Sequence, residues 1–433
     1  MRLRTIFQAI CKLLFYRVSE RSGKDILVVT RADLFPVDHG AAVKIVRTAQ
    51  SLSCLGQDVY LCTDKRGEYY RFHNGKREVL HYPLWLRFMA LPRPVALLRL
   101  LLRGFPFSNA FLYFPLTDVS YIYRSLWLAG RYGTRTCIAE FPAYVHPCSH
   151  VRSMFGGKLM LVEHNVEYER LKSQIPGLKN ATYEKLKQTE LQMCTLADVI
   201  VTVSDNDREK LAADGVPCEK LVTIPHGVDL HELQTAKAPG VRARYGIGKN
   251  DLLLVYHGTY SYGPNLQAVQ LLAEEILPRL EKAGITASVL AVGSRPPERK
   301  LHQGIHFTGS VADLGDILPA ADMAVIPLQD GGGTRMKILD YFAARVPVVS
   351  TAKGIEGIPV TYGVEAIIVD DFDAMSAAVV ELAGHPQRRA DLVSAATAFV
   401  NTLGWDSIAK RYLPMLASEK ADDIDASGVG NCP

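Results

Sequence analysis

Three consecutive glycines, Gly331, Gly332 and Gly333, lead through Thr334 and Arg335 into a segment of helical character that carries Lys337 and Asp340. N–H groups at a helix N-terminus lack intrahelical acceptors and carry partial positive charge. Two cations beside them make a place for phosphate. A carboxylate one turn further along can accept hydrogen bonds from both hydroxyls of a sugar diol. The β-branched run Val346–Ser350 follows at once, as a strand follows a helix in an α/β unit. Residues 331–358 therefore read as a nucleotide-sugar site in an α/β protein.

Such a site needs strands whose carboxyl ends converge. A first strand is expected over 25–32, a loop over 33–40 ending in Gly40, a helix to about residue 55 and a strand over 59–63. Further strands are expected at 136–140, 159–163, 198–203 and 221–224, each followed by a polar loop. Residues 231–250, rich in Lys, Ala, Pro and Gly, read as a linker. A second series begins at Leu252 with LLLVYHG, a helix from Pro264, then ASVLAVG, IHFTG, MAVIPL, VPVVS and EAIIVDD. Two Rossmann-like halves result. The division expected is 1–24 as a basic amphipathic helix, 25–230 and 231–404 as the two domains, 405–417 as a last helix and 418–433 as a disordered tail.

At 433 residues the chain is long for a single core, and 48% hydrophobic with 22% charged residues is ordinary for a soluble protein. A net charge of +4, spread along the chain without a recognition motif, does not describe a nucleic-acid binder. The cysteines (Cys11, Cys54, Cys62, Cys137, Cys148, Cys194, Cys218 and Cys432) form no C-x-x-C pair and suit reduced thiols in a cytosol.

Two stretches are both basic and apolar. Residues 1–24 place Arg2, Arg4, Lys12, Arg17, Arg21 and Lys24 against Glu20, with Ile6, Ile10, Leu13 and Leu14 at helical spacing. Residues 84–135 hold Arg87, Arg93, Arg99, Arg103, Arg124, Arg131 and Arg135 against Asp118, and 84–107 interleaves them with leucines and aromatics. No uncharged apolar run is long enough to span a bilayer. Both stretches read instead as surfaces that lie on anionic lipid, 1–24 and 84–107 being the contact segments.

Five segments together resemble the retaining glycosyltransferase family four, of GT-B fold: the Gly40 loop and helix with LGQDVYLCT, EHNVEYER at 163–170, VSDNDREKLAADGV with IPHGVD over 203–229, YHGTYSYGPN at 256–265, and residues 331–358 with the preceding FTGSVADLGDILPAADMAVIPL. The resemblance runs from about residue 25 to 415. It implies two Rossmann-like domains facing across a cleft, the nucleotide sugar bound mainly by the C-terminal one and the acceptor mainly by the N-terminal one. The activity implied is retaining transfer of a hexose-type sugar from a nucleotide diphosphate, UDP foremost with GDP open, to a glycan or lipid-linked acceptor. The implied location is cytoplasmic, on the inner face of the membrane. An epimerase of the same fold and a catalytically silent scaffold subunit are the alternatives.

The leaving diphosphate gains negative charge as the glycosidic bond breaks, so cations and N–H dipoles aimed at it lower the barrier. The resemblance implies an Arg and a Lys where this chain has Thr259 and Asn265. Arg335 and Lys337 are expected to replace them as catalytic cations. It also implies two glutamates, at positions held here by Gly332 and Asp340. Asp340 keeps a carboxylate for the ribose, whereas the backbone N–H groups of Gly333, Thr334 and Arg335 are expected to stand in at Gly332. His164 matches a histidine beside the reacting sugar. Gly40 and Gly258 let the backbone approach the phosphates, Arg295 lies in a loop near the base, and so do Gly309 and Val311. Asp205-Asn206-Asp207 and Asp371-Phe372-Asp373 have a D-x-D form, but each opens a helix and reads as an N-cap. No metal and no other cofactor are expected.

Overall fold

The computed structural model describes residues 24–416, apart from 32, 33, 36, 38, 39, 89–92, 108, 109 and 176. The amphipathic N-terminal helix, except Lys24, and the disordered tail 418–433 expected from the sequence lie outside the described residues. The chain forms two compact units, divided after Pro225 and again after Gly404.

The first unit is built on eight strands: β1 Ile26–Val29, β2 Val59–Cys62, β3 Glu68–His73, β4 Lys76–His81, β5 Thr136–Glu140, β6 Lys158–Glu163, β7 Val199–Thr202 and β8 Leu221–Thr223. Their spatial order is β4-β3-β2-β1-β5-β6-β7-β8. β1, β2 and β5 are buried along their whole length, as strands covered by helices on both faces require. Chain order reverses between β1 and β5, so the loops after these strands diverge and leave a crevice at the carboxyl edge. The helix Gly40–Cys54 leaves the loop after β1, and Glu140 ends β5.

The antiparallel pair β3–β4 is a hairpin that periodicity alone did not reveal. Its turn, Asn74-Gly75, has φ of 48° and 75°, as a two-residue turn between twisted strands demands. The Asn-Gly dipeptide was the available signal. Strand β4 is largely exposed, so alternation was weak there. The helix Trp405–Leu416 belongs to this unit and packs on the helix Gly40–Cys54. Ser51 Oγ donates to Asp406 Oδ1 at 2.9 Å, and Lys44 Nζ to the Tyr412 hydroxyl at 3.3 Å.

The arginine-rich stretch 84–135 is not one surface. Leu84–Phe88 and Arg93–Leu102 are helices that leave Leu84, Trp85, Leu98, Leu101 and Leu102 exposed. Ser120–Tyr132 is instead a core helix. Its Arg124 is 1% exposed, lies 4.7 Å from the Tyr121 ring centre and donates to the carbonyls of Ser120, Thr63 and Lys65. Carbonyls and aromatic faces here replace the water that an exposed guanidinium would have.

The second unit has six parallel strands: β9 Leu252–His257, β10 Ala287–Val292, β11 Ile305–Gly309, β12 Met323–Ile326, β13 Val348–Ser350 and β14 Ile367–Ile368. The order is β11-β10-β9-β12-β13-β14, with reversal between β9 and β12. The expected linker 231–250 is part of this unit. Leu230–Thr235 and Val241–Arg244 are helical, and Leu233 and Val241 are buried. The boundary precedes residue 230 because Val228 N donates to Leu403 O at 3.0 Å, which ties the start of the unit to its end.

Candidate active site residues in the two units

In the second unit, the loops after β9 and β12 flank the point of strand reversal, and both carry residues singled out above. The loop after β9 holds Gly258 and Thr259 and runs into the helix Gly263–Leu271, which carries Asn265. The approach is close: a Cβ on Gly258 would lie 2.6 Å from Asn265 Nδ2, and one on Gly293 would lie 1.9 Å from Gly258 O. Asn265 Nδ2 donates to Thr259 O at 3.0 Å, and Ser294 Oγ to Thr259 Oγ1 at 3.3 Å. Gly293 N donates to Gly309 O at 3.1 Å, so the loops after β9, β10 and β11 meet edge to edge. Arg295 (φ 56°) and Val311 lie on the latter two loops.

After β12 the chain runs through the glycines to the helix Met336–Ala343. Lys337 Nζ donates to Asn265 Oδ1 and to the Tyr256 hydroxyl, each at 2.8 Å, and lies 4.1 Å from the Tyr256 ring centre. The Tyr256 hydroxyl in turn donates to Asn265 Oδ1 at 2.8 Å. Thus the side chain at the position where a lysine was expected holds the lysine supplied by another helix. Burial, helped by the Arg335 guanidinium and opposed by Asp340, lowers the Lys337 pKa to about 7. Asp340 follows one turn on, 27% exposed, with Oδ2 3.4 Å from His257 Nε2.

Arg335 departs from expectation. It is the N-cap residue, 6% exposed, and its guanidinium donates to the carbonyls of Lys353 (3.0 Å), Gly332 (3.2 Å) and Gly331 (2.7 Å). Its Nη2 also lies 3.4 Å from Glu356 Oε2, and its N–H donates to Glu356 O at 3.2 Å. A planar fork engaged on three carbonyls shapes the glycine loop. The Arg335 N–H is likewise taken and cannot serve a ligand. Gly331 (φ 111°) and Gly333 (φ 84°) hold backbone that other residues rarely adopt. The Thr334 hydroxyl is buried and has no partner among the described residues, which leaves it hydrogen-bonding capacity for a ligand.

In the first unit, His164 follows β6 and is 4% exposed. Its Nε2 lies 2.7 Å from Glu140 Oε2, and its ring stacks on Phe141 with centres 4.3 Å apart. Burial lowers the imidazole pKa against the upward pull of Glu140. Gly40 is the exposed first residue of its helix. Glu163, next to His164, has no exposed surface. Burial, with Glu190 and Glu167 nearby, pushes its carboxyl well above the usual range. Glu190 accepts the N–H groups of Glu167 (2.9 Å) and Tyr168 (3.1 Å), which fixes the helix start just beyond His164.

Residues 251–385 match the family described as Glycosyl transferases group 1, and residues 139–232 match Glycosyltransferase Family 4. The chain belongs to the group 1, family four glycosyltransferases. No curated protein matches it. Sucrose-phosphate synthase from Thermosynechococcus elongatus is similar in structure, with a TM-score of 0.66 at 16% identity over 90% of this chain and 98% of that one. Anabaena HepE in complex with UDP gives 0.64 at 13% identity over 91% and 100%. WaaG, a glycosyltransferase involved in lipopolysaccharide biosynthesis, gives 0.61 at 12% over 91% and 100%. At these identities the likeness establishes the fold, which is GT-B.

In this glycosyltransferase the second unit carries Gly258, Thr259, Arg295, Gly332, Gly333 and Thr334 on loops, Gly309 at the end of β11, and Lys337 and Asp340 on one helix. Tyr256 and Asn265 were missed as partners of Lys337; a tyrosine closing an apolar strand was the only local sign. Glu140 and Lys44 were missed in the first unit, where a lone Lys in an apolar helix face gives no signal. The D-x-D segments do open helices. Asp371 is an N-cap, accepting from Ala374 N at 2.8 Å. At Asp205–Asp207 the cap is Ser204, which accepts from Asp207 N at 3.2 Å. Among the described residues no cluster of three or more His, Cys, Asp or Glu could hold a metal.

Proposed function

We propose that this glycosyltransferase moves a sugar from a nucleotide diphosphate, a UDP-sugar first, to a glycan or lipid-linked acceptor with retention of anomeric configuration. The observation that carries the reading is Lys337 Nζ, held 2.8 Å from both Asn265 and Tyr256 at the strand-reversal point of the second unit. Its protonated form balances the charge that develops on the leaving diphosphate. Asp340, one turn along, accepts the ribose hydroxyls. Thr334 and the N–H groups of the glycine loop serve the donor, and Arg335 keeps that loop in shape. His164 meets a hydroxyl of the donor sugar or acceptor. In the second unit Gly258, Arg295, Gly309 and Val311 line the approach of phosphates and base, and in the first Gly40 leaves its backbone open to a ligand. No metal is required, because the lysine supplies the countercharge. HepE binds UDP and UDP-glucose, and TarM from S. aureus binds UDP with α-GlcNAc-glycerol, which supports a UDP donor by analogy of fold.

The acceptor side works at the inner face of the membrane. Arg99 and Arg103, with Leu102, Leu116, Thr117 and Val119, line a cavity of about 350 Å³ beside the exposed Leu98 and Leu101. Cations next to apolar side chains suit anionic headgroups and their chains. No helix among the described residues is long and apolar enough to cross a membrane. A panel of nucleotide sugars tests the reading, scored by thermal shift and by slow hydrolysis to free diphosphate. Lys337→Ala should abolish both the UDP-dependent shift and hydrolysis in a folded protein. Hydrolysis at near-normal rate would overturn the assignment, and conversion of a sugar nucleotide to its epimer would favour the epimerase alternative.

A further inference from the structure

The first unit buries two charged groups, Glu140 and Lys44, that the site described above does not use. Glu140 and His164 are each 4% exposed, and their Oε2 and Nε2 atoms are 2.7 Å apart. Phe141, the next residue, has φ of 82°, a conformation that a bulky L-residue keeps only where its surroundings enforce it. Two consecutive residues thus grip the imidazole: Glu140 at its edge, and Phe141 against its face, the rings inclined by 19°. Behind the carboxylate lies Lys44, 1% exposed, whose ammonium interacts with Glu140 and donates to the Tyr412 hydroxyl at 3.3 Å. It supplies the countercharge that a buried carboxylate needs.

We propose that Glu140 is the positioning residue of His164: it holds the ring proton on Nε2 and leaves Nδ1 as an acceptor for a substrate hydroxyl. This rests on the substrate-facing role given to His164 above. A carboxylate only accepts, so the nitrogen facing it must donate. A neutral imidazole has one donor and one acceptor, so the other nitrogen is then a lone pair. Burial keeps the ring neutral; Lys44 acts in the same direction, and Glu140 and Glu167 oppose it. No described residue hydrogen-bonds Nδ1. The loop following β6 thereby presents a hydrogen-bond acceptor, matched to an O–H and mismatched to a phosphate or carboxylate oxygen.

The test uses the full chain labelled with ¹⁵N-histidine, with two-bond ¹H–¹⁵N spectra reporting which ring nitrogen carries the proton. The His164 signal is identified by its loss in His164→Gln. The wild type should show the Nε2–H form, Glu140→Gln should keep it through its amide oxygen, and Glu140→Leu should lose it. Hydrolysis of UDP-glucose, or of the UDP-sugar hydrolysed fastest, should fall about 10-fold or more in Glu140→Leu with UDP affinity unchanged, and less in Glu140→Gln. Because Glu140 acts through His164, the double variant Glu140→Leu/His164→Gln should be no slower than His164→Gln alone. An Nδ1–H wild type, an unmoved tautomer in folded Glu140→Leu, or additive losses would each overturn the proposal. If Glu140→Leu does not fold, the wild-type tautomer and the Glu140→Gln rate decide. Normal turnover in His164→Gln would remove the substrate-facing role, and the tautomer spectra would still judge the Glu140 lock.

Discussion

Lys337 gives UDP affinity a distinctive pH dependence. With its pKa lowered to about 7 by burial and Arg335, much of the lysine is neutral in the free protein just above neutrality. A bound diphosphate favours the charged form, so binding draws in a proton. Between about pH 7.5 and 9 the protonated fraction falls roughly 25-fold for a pKa near 7. UDP affinity should fall by the same factor, about 2 kcal/mol. The phosphate itself is fully ionised over this range, its last pKa being about 6. Titration calorimetry near pH 8, in buffers of different ionisation enthalpy, should show an uptake of close to one proton per UDP. Lys337→Met should bind weakly with no uptake. A lysine of ordinary pKa would leave affinity flat. A change below about 2-fold without proton uptake would refute the argument that the enclosed ammonium meets the diphosphate. The sign for stability follows the same shift. A depressed pKa gives a contribution present above the unfolded value near 10.4, and lost as pH falls toward about 7.

Other outcomes follow from the same geometry. Arg335→Ala should destabilise the protein by about 2–4 kcal/mol in denaturant melts, since it strands the carbonyls of Lys353, Gly332 and Gly331 while Glu356 keeps Lys353, and Arg335→Lys should not restore it. Full stability in Arg335→Ala would return this residue to the phosphate. Glu163 has a raised pKa, so its contribution is complete below the ordinary carboxyl range and lost as pH rises through the folded value. Glu163→Gln should therefore lose less melting temperature than wild type between acid and alkaline pH; parallel curves would contradict this. Leu98→Glu with Leu102→Glu should weaken sedimentation with phosphatidylglycerol vesicles, and deleting residues 1–22 should weaken it separately. Unchanged binding in both would dismiss the membrane face.

Legibility of the fold followed burial on two faces. Strands β1, β5, β6, β9, β10 and β12 are continuous apolar runs because helices cover them on both sides, and such runs declare themselves in sequence. Strand β4 is exposed along nearly its whole length and so gave no alternation, and only Asn74-Gly75 marked the hairpin. Residues 231–250 read as a linker because short amphipathic helices with one buried residue each, Leu233 and Val241, carry little periodicity. In the candidate site, glycines before a helix were readable, since glycine is required where φ is positive at Gly331 and Gly333.

The sequence by itself determined the class of fold, the position of the glycine loop, and the presence of Lys337 and Asp340 one turn apart on the helix behind it. Those follow from local chemistry: period, punctuation and the spacing of 3.6 residues per turn. The tertiary structure decided what each charge does. Arg335 and Lys337 stand two residues apart and looked equivalent. Yet such neighbours point to different sides of a helix start, so one guanidinium closes on its own loop carbonyls while one ammonium reaches Asn265, 72 positions away in the chain. Glu140 and His164 are likewise 24 positions apart and meet only because β5 and β6 are adjacent and in register. Partnership across strands depends on sheet order, and no local pattern in the chain carries that order.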